Sequence, residues 1–169
     1  MEQWRGIMRV VEVVHRDRFG KEIRVERDIL NKIHLLGEEY ILRVLFAGRE
    51  VPENYHIGMD SRSSILASDQ IGDLEGLEPV TAGYERQSIQ SDDFAIVTDS
   101  PTSRRANSPS VVFTATSETW EPVSNIFLCV GLGYGSSSVL VSSAALGQSI
   151  SLSPGESISM RMAMSLSGC

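Results

Sequence analysis

The sequence predicts a mainly β fold: a jelly-roll-like β-sandwich preceded by an extended N-terminal arm or hairpin and one helix. Three observations carry that expectation. The tail, Ser149 to Leu166, sets Ile158, Met160, Met162, Met164 and Leu166 in alternation with Ser, Arg and Ala, the two-residue period of a half-buried strand. Such a strand needs a second sheet to cover its apolar face. Beyond Val51-Pro52, short apolar runs are separated by Ser, Asp, Gly and Pro clusters at intervals of about a dozen residues, the rhythm of an all-β domain. Only Asp28 to Phe46 carries a helical period, through Ile29, Ile33, Leu36, Tyr40, Ile41, Val44 and Leu45.

In chain order, residues 1–27 hold two β-branched runs, Val10 to Val14 and Ile23 to Val25, around the turn-like Asp17-Arg18-Phe19-Gly20. The charges between these runs leave little to bury. The segment therefore reads as an arm whose apolar face needs something outside itself. Its candidate partner-binding residues are Val10, Val11, Val13, Val14, Phe19, Ile23 and Val25; an ordinary first hairpin packed on the domain is the competing reading. Residues 28–48 form the helical segment, with Asp28 as N-cap and Gly48 as stop. Gly37 interrupts it at about 1 kcal/mol relative to Ala, so the firmest part is Glu38 to Phe46. Glu39 and Arg43 make an i,i+4 pair on its exposed side.

Residues 49–169 form the sandwich. Tyr55 to Met59 is its first strand, and Ser61 to Pro79 is a structured excursion with a helical turn near Ala67 to Ile71. Gly83 to Ile89 returns to strand, while Ser100 to Pro109 is the most loop-like segment and puts Arg104-Arg105 at a solvated tip. Val111 to Ala115, Trp120 to Val130, Val139 to Leu146 and the tail supply the other strands, roughly eight in all. Ile126 to Val130 is apolar on both faces and marks a central strand. Gly131-Leu-Gly-Tyr-Gly135 and the three serines after it have neither the Lys-Ser/Thr ending nor the following helix of a phosphate cradle, which leaves a hairpin loop. At Pro154-Gly155 the alternation pauses and the chain turns.

The 169 residues, 41% hydrophobic and 22% charged, suffice for one filled core plus an appendage. Residues 1–50 carry ten Lys/Arg and nine Asp/Glu, and the remainder five and thirteen, which accounts for the net charge of −7. An acidic body argues against a nucleic-acid surface, where Lys and Arg make the phosphate contacts. No run approaches the roughly 18 apolar residues of a membrane span, and the first residues lack a signal peptide's layout. Of the two cysteines, Cys129 lies in the apolar run IFLCV and reads as a buried thiol, and Cys169 is the last residue. His15, His34 and His56 have no Cys, Asp or Glu partner at metal-ligand spacing. Asp60, Asp69, Asp73 and Asp92-Asp93 lack the alternation of a calcium loop. No Gly-x-Ser-x-Gly elbow activates a serine. The expectation is a protein with no catalytic residues, no cofactor and no metal.

Tyr55-His-Ile-Gly-Met59, Gly83-Tyr-Glu-Arg-Gln87, Trp120-Glu-Pro-Val-Ser-Asn-Ile-Phe127 and the closing Pro154-Gly-Glu-Ser-Ile158 come in an order that resembles the jelly-roll head decoration (cement) or tail-fibre-like structural proteins of tailed bacteriophages. Arg16-Asp-Arg-Phe-Gly20 and Gly37-Glu-Glu-Tyr-Ile41 resemble the segment these proteins carry ahead of the sandwich. Glu85 and Glu121-Pro122 depart from the commoner pattern. The resemblance implies a homotrimer on the virion's capsid surface, made in the host cytoplasm. It would bind the major capsid protein of a phage shell through the arm and sandwich base. A tail, baseplate or fibre component and a carbohydrate-binding module using Tyr134 are the alternatives.

Overall fold

A computed structural model describes residues 4–81, 83–101 and 103–168, with Cys169 and the first three residues outside the description. The fold is a β-sandwich of two antiparallel sheets with one α-helix. The first sheet contains β1 (Trp4–Arg16), β2 (Glu22–Leu30), β6 (Ala95–Ser100), β7 (Ser103–Asn107), β8 (Val111–Thr114) and β11 (Ser157–Gly168). Its order is β2-β1-β11-β7-β6, with β8 also on β11. The second runs β3-β10-β9-β4-β5, from β3 (Lys32–Ile33), β4 (Asn54–Asp60), β5 (Gln87–Gln90), β9 (Val123–Val130) and β10 (Val139–Ile150). β1 pairs with β11, β3 with β10 and β4 with β9 in nested order, whereas the β6–β7 and β9–β10 hairpins each stay within one sheet.

The tail strand is covered as its alternation requires: Ile158, Met160 and Met162 are buried in the core with Val10, Val13, Phe113, Ile57, Met59, Ile126 and Leu128. The side chain of Leu166 lies outside the described residues. The doubly apolar β9 is indeed central. Its even-numbered Ile126 and Leu128 enter the main core, while Phe127 and Cys129 on the opposite face join Leu140, Ile71 and Leu74 in a second cluster.

Of the two readings of the N-terminal segment, the described residues match a first hairpin packed on the domain and not an extended arm. β1 lies inside the first sheet, paired with β11 from Trp4↔Gly168 to Arg16↔Ser157 and on its other side with β2. Val10, Val13 and Val14 are therefore buried, and Val11 and Val25 half-buried; only Phe19, 80% exposed at the hairpin tip, and Ile23 remain open. Charges of this hairpin lie across the strands from one another, as Arg16 to Glu22 at 3.3 Å and Arg27 to Glu12 at 2.9 Å. β2 extends through Asp28, which is not a helix cap but a strand residue with φ +54°.

The helix, α1 (Leu35–Phe46), starts six residues later than an Asp28 cap would place it. His34 at its cap position makes no side-chain cap bond; the Leu35 N–H instead donates to the Ala67 carbonyl at 2.9 Å. The helical turn of the excursion is a 3-10 turn at Ile71–Leu74, where Asp73 accepts the Gln70 N–H. Arg104 and Arg105 belong to β7 rather than to a loop tip, because the backbone there pairs with both β6 and β11.

Gly37 proves to be the contact point of α1 with β10. A Cβ there would stand 2.3 Å from the Val141 carbonyl oxygen and 2.6 Å from its Cα. Gly37→Ala is thus expected to destabilise the protein by about 1–3 kcal/mol through overpacking, despite the roughly 1 kcal/mol gain in helix propensity. Urea unfolding checks this, and a stabilised variant would contradict the close contact.

Candidate functional site

Three places on the molecule gather polar or unpartnered groups. The first is a sealed network under β10. The Arg62 guanidinium makes a fork with Asp60, Nε to Oδ1 and Nη2 to Oδ2 at 2.9 Å each, and its Nη1 donates to Asp69 Oδ2 at 2.7 Å. Asn125 Nδ2 donates to Asp60 Oδ1 at 2.8 Å, and Arg62 Nη2 donates to Ser143 Oγ at 2.8 Å. His34 Nδ1 lies 2.9 Å from the Leu66 carbonyl, which can only accept, so this nitrogen carries the proton. Its Nε2 then accepts from the Ser143 hydroxyl at 2.8 Å.

This Ser–His contact has the donor order of a nucleophile and its base. Ser143 and His34, however, are both fully buried, and the third partner is a carbonyl. Burial holds the His34 imidazole below its ordinary value; the Leu66 carbonyl opposes this and the Arg62 charge adds to it. The network ties the excursion to the second sheet. Asp60 and Asp69, read from sequence as turn acids, are thus the two carboxylates that hold Arg62.

The second cluster ties down the glycine-rich hairpin loop between β9 and β10. Glu78, buried, accepts from Arg86 Nη2 at 2.5 Å, from the Tyr84 hydroxyl at 2.7 Å and from the Tyr134 hydroxyl at 2.7 Å. Arg86 Nη1 donates to the Leu132 carbonyl at 3.1 Å, and the guanidinium covers the Tyr134 ring at 4.9 Å. Burial and the Glu78 charge hold both tyrosine hydroxyls above their ordinary value. Burial pushes the Cys129 thiol up to about 12. That makes it a packing group rather than a nucleophile.

The third place is the surface of α1. Gly37 and Tyr40 face inward; Leu35 (60% exposed), Leu42 (49%), Leu45 (50%) and Phe46 (82%) face outward. At 100° per residue, Leu35, Leu42 and Phe46 fall within one narrow outward stripe. Glu39 and Arg43 flank it, joined at 2.7 Å, and Glu38 borders it on the other side. Beside this stripe, α1 and the hairpin loop enclose a cleft of about 360 Å³.

Of the sequence-predicted partner-binding residues, the sheet thus absorbs Val10, Val13 and Val14 and leaves Phe19 and Ile23 exposed at the hairpin end. Among the described residues no three His, Cys, Asp or Glu side chains stand close enough to hold a metal ion. None of the described helices is long and apolar enough to cross a membrane. No protein-family model matches the chain, and no curated protein or solved structure is significantly similar to it.

Proposed function

We propose that this is a non-enzymatic virion structural protein, a decoration protein that docks on the major capsid shell of a bacteriophage. The observation that carries the docking role is the outward stripe of α1. A monomer with a filled core has no internal use for Leu35, Leu42 and Phe46 in water, and a contiguous apolar surface of that kind marks a protein contact. The resemblance of Tyr55 to Met59, Trp120 to Phe127 and Pro154 to Ile158 to phage decoration proteins supports the choice of partner. The sealing of Ser143 and His34 within the protein is in keeping with a role other than catalysis.

The docking surface in this reading is α1 rather than the first hairpin, whose valines are committed to the sheet. The complementary shell surface is an apolar groove with a basic flank opposite Glu38 and an uncharged polar flank opposite the Glu39–Arg43 pair. Deleting residues 1–27 would dismantle the first sheet, so point substitutions are the appropriate test. In co-sedimentation with purified shells, Leu42→Asp with Phe46→Asp is expected to weaken binding by at least about tenfold per site, since each side chain buries apolar area worth about 1.5–3 kcal/mol. Both positions are exposed, and the unfolding midpoint should stay within about 0.5 kcal/mol of the parent. Undiminished shell binding would overturn the assignment. Solution mass gives the copy number, for which a trimer is the expectation.

A further inference from the structure

We propose that the cleft between α1 and the glycine-serine hairpin loop binds a small acidic sugar, a polyol ring bearing one carboxylate. The cleft, of about 360 Å³, lies at the low end of small-molecule sites, which suits a single ring. Tyr40, Ile71 and Leu140, all buried, give it an apolar floor against which the C–H face of a sugar can lie. Tyr134, half-buried, Ser136 and Ser138 line the loop side, and the exposed Gln70 also lines the cleft. Serine hydroxyls and a glutamine amide both donate and accept, as ligand hydroxyls require, while the Tyr134 hydroxyl is held by Glu78.

The charge is supplied locally. Gly48, at φ +71°, folds the chain back after α1, so that the Arg49 N–H donates to the Arg43 carbonyl at 3.1 Å. This turn lays the Arg49 guanidinium over the Tyr40 ring at 4.4 Å. Arg43, also on the cleft, is neutralised by Glu39 at 2.7 Å, whereas among the described residues no carboxylate stands within ion-pair distance of Arg49. The Tyr40 ring and hydroxyl both engage the Arg49 guanidinium, and its remaining N–H groups suit a planar carboxylate. Two guanidiniums against one carboxylate leave the cleft with one net positive charge, in a chain of net charge −7. One carboxylate matches that charge; a phosphate monoester, with nearly two negative charges, would exceed it.

The inference stands apart from the docking role, because it rests on the cleft and not on the outward stripe of α1. It is tested by titrating the full chain with glucuronate while following backbone amide resonances. Glucose, acetate and inorganic phosphate serve as comparators. Saturable shifts at Tyr134, Gly135, Ser136 and Arg49 are expected with glucuronate. Glucose and acetate should each bind at least about tenfold more weakly, and Arg49→Ala should weaken glucuronate by at least about tenfold, the worth of a charge-assisted bond. Arg49 is exposed, so this variant keeps the fold, and Arg49→Lys, with the charge but not the fork, should fall between. Absence of saturable shifts at these residues would overturn the proposal. So would equal affinity for glucose, which removes the charge from recognition, or equal affinity for acetate or phosphate, which reduces the cleft to a simple anion site.

Discussion

Asp60→Ala is expected to lower the free energy of unfolding by about 3–5 kcal/mol, the cost of breaking a buried ion pair by removing one partner. Asp60 is fully buried, and its carboxylate accepts from Arg62 Nε, Arg62 Nη2, the Arg62 backbone N–H and Asn125 Nδ2. Alanine leaves all four donors without that acceptor, in a site where Arg62 is only 7% exposed. Asp69 keeps its contact with Arg62 Nη1 at 2.7 Å, which holds the loss below that of an entirely unpaired buried charge. The exposed pair of Glu39 and Arg43 is the internal control, since Glu39→Ala should change stability by only about 0.3–0.5 kcal/mol. Urea unfolding of both variants, analysed at constant m-value, separates the two cases. A loss below about 1 kcal/mol for Asp60→Ala would place the network in the solvent-exposed class. Against a total stability of about 5–15 kcal/mol for an ordinary domain, the expected loss is large enough to lower the yield of folded protein.

The contrast between these two ion pairs also separates what the sequence discloses from what it does not. Glu39 and Arg43 are four residues apart on a helix and could be paired by counting. Asp60 and Arg62 are two apart, but their burial depends on His34 and Ser143, and the hydrogen bond between those two spans 109 positions of chain. No local period encodes that. The same distinction explains the strands. β9 and β11 were legible because every apolar position reports its own burial, on both faces in one and on alternate positions in the other.

β1 has a similar alternation. The segment reads as an arm because the charges between its two β-branched runs leave little to bury, yet β2 sets Asp28 and Arg27 opposite Arg9 and Glu12 of β1 and so keeps the strand in the sheet. Pairing of β1 with β11 joins the two ends of the described chain, and only the folded topology reveals it. Gly37 shows the limit of propensity: its cost to the helix is local, but the reason for it is the Val141 backbone. The cleft escaped for a related reason. The loop was judged on its fitness for phosphate, while the cleft's cations, Arg43 and Arg49, come from around a helix nearly ninety positions earlier in the chain.

Glu78→Ala is the second large effect expected, again about 3–5 kcal/mol, but with a different signature. Glu78 is the common acceptor for Arg86, Tyr84 and Tyr134, which joins the segment ahead of β5 to the β9–β10 loop. Tyr84 keeps its backbone contacts with Met59 at 2.9 and 3.2 Å, so its end of the network should hold. Arg86 would be left in a buried site with two carbonyls and the Cys129 sulfur, and the Tyr134 hydroxyl would lose its acceptor. Loosening should therefore concentrate in the loop from Gly131 to Ser138 and expose Cys129, whose thiol is otherwise kept inert by burial. Labelling with a thiol reagent under native conditions should be faster in Glu78→Ala than in the parent. Glu78→Gln, which retains an acceptor for the tyrosines but not the charge for Arg86, should label at an intermediate rate. Equal labelling in all three, with stability lost, would mean that Glu78 supports the fold without fixing the loop. Because Tyr134 and Ser136 line the cleft, a loosened loop should also weaken glucuronate binding while leaving the α1 stripe and shell docking unchanged. That divergence would distinguish the two surfaces in a single variant.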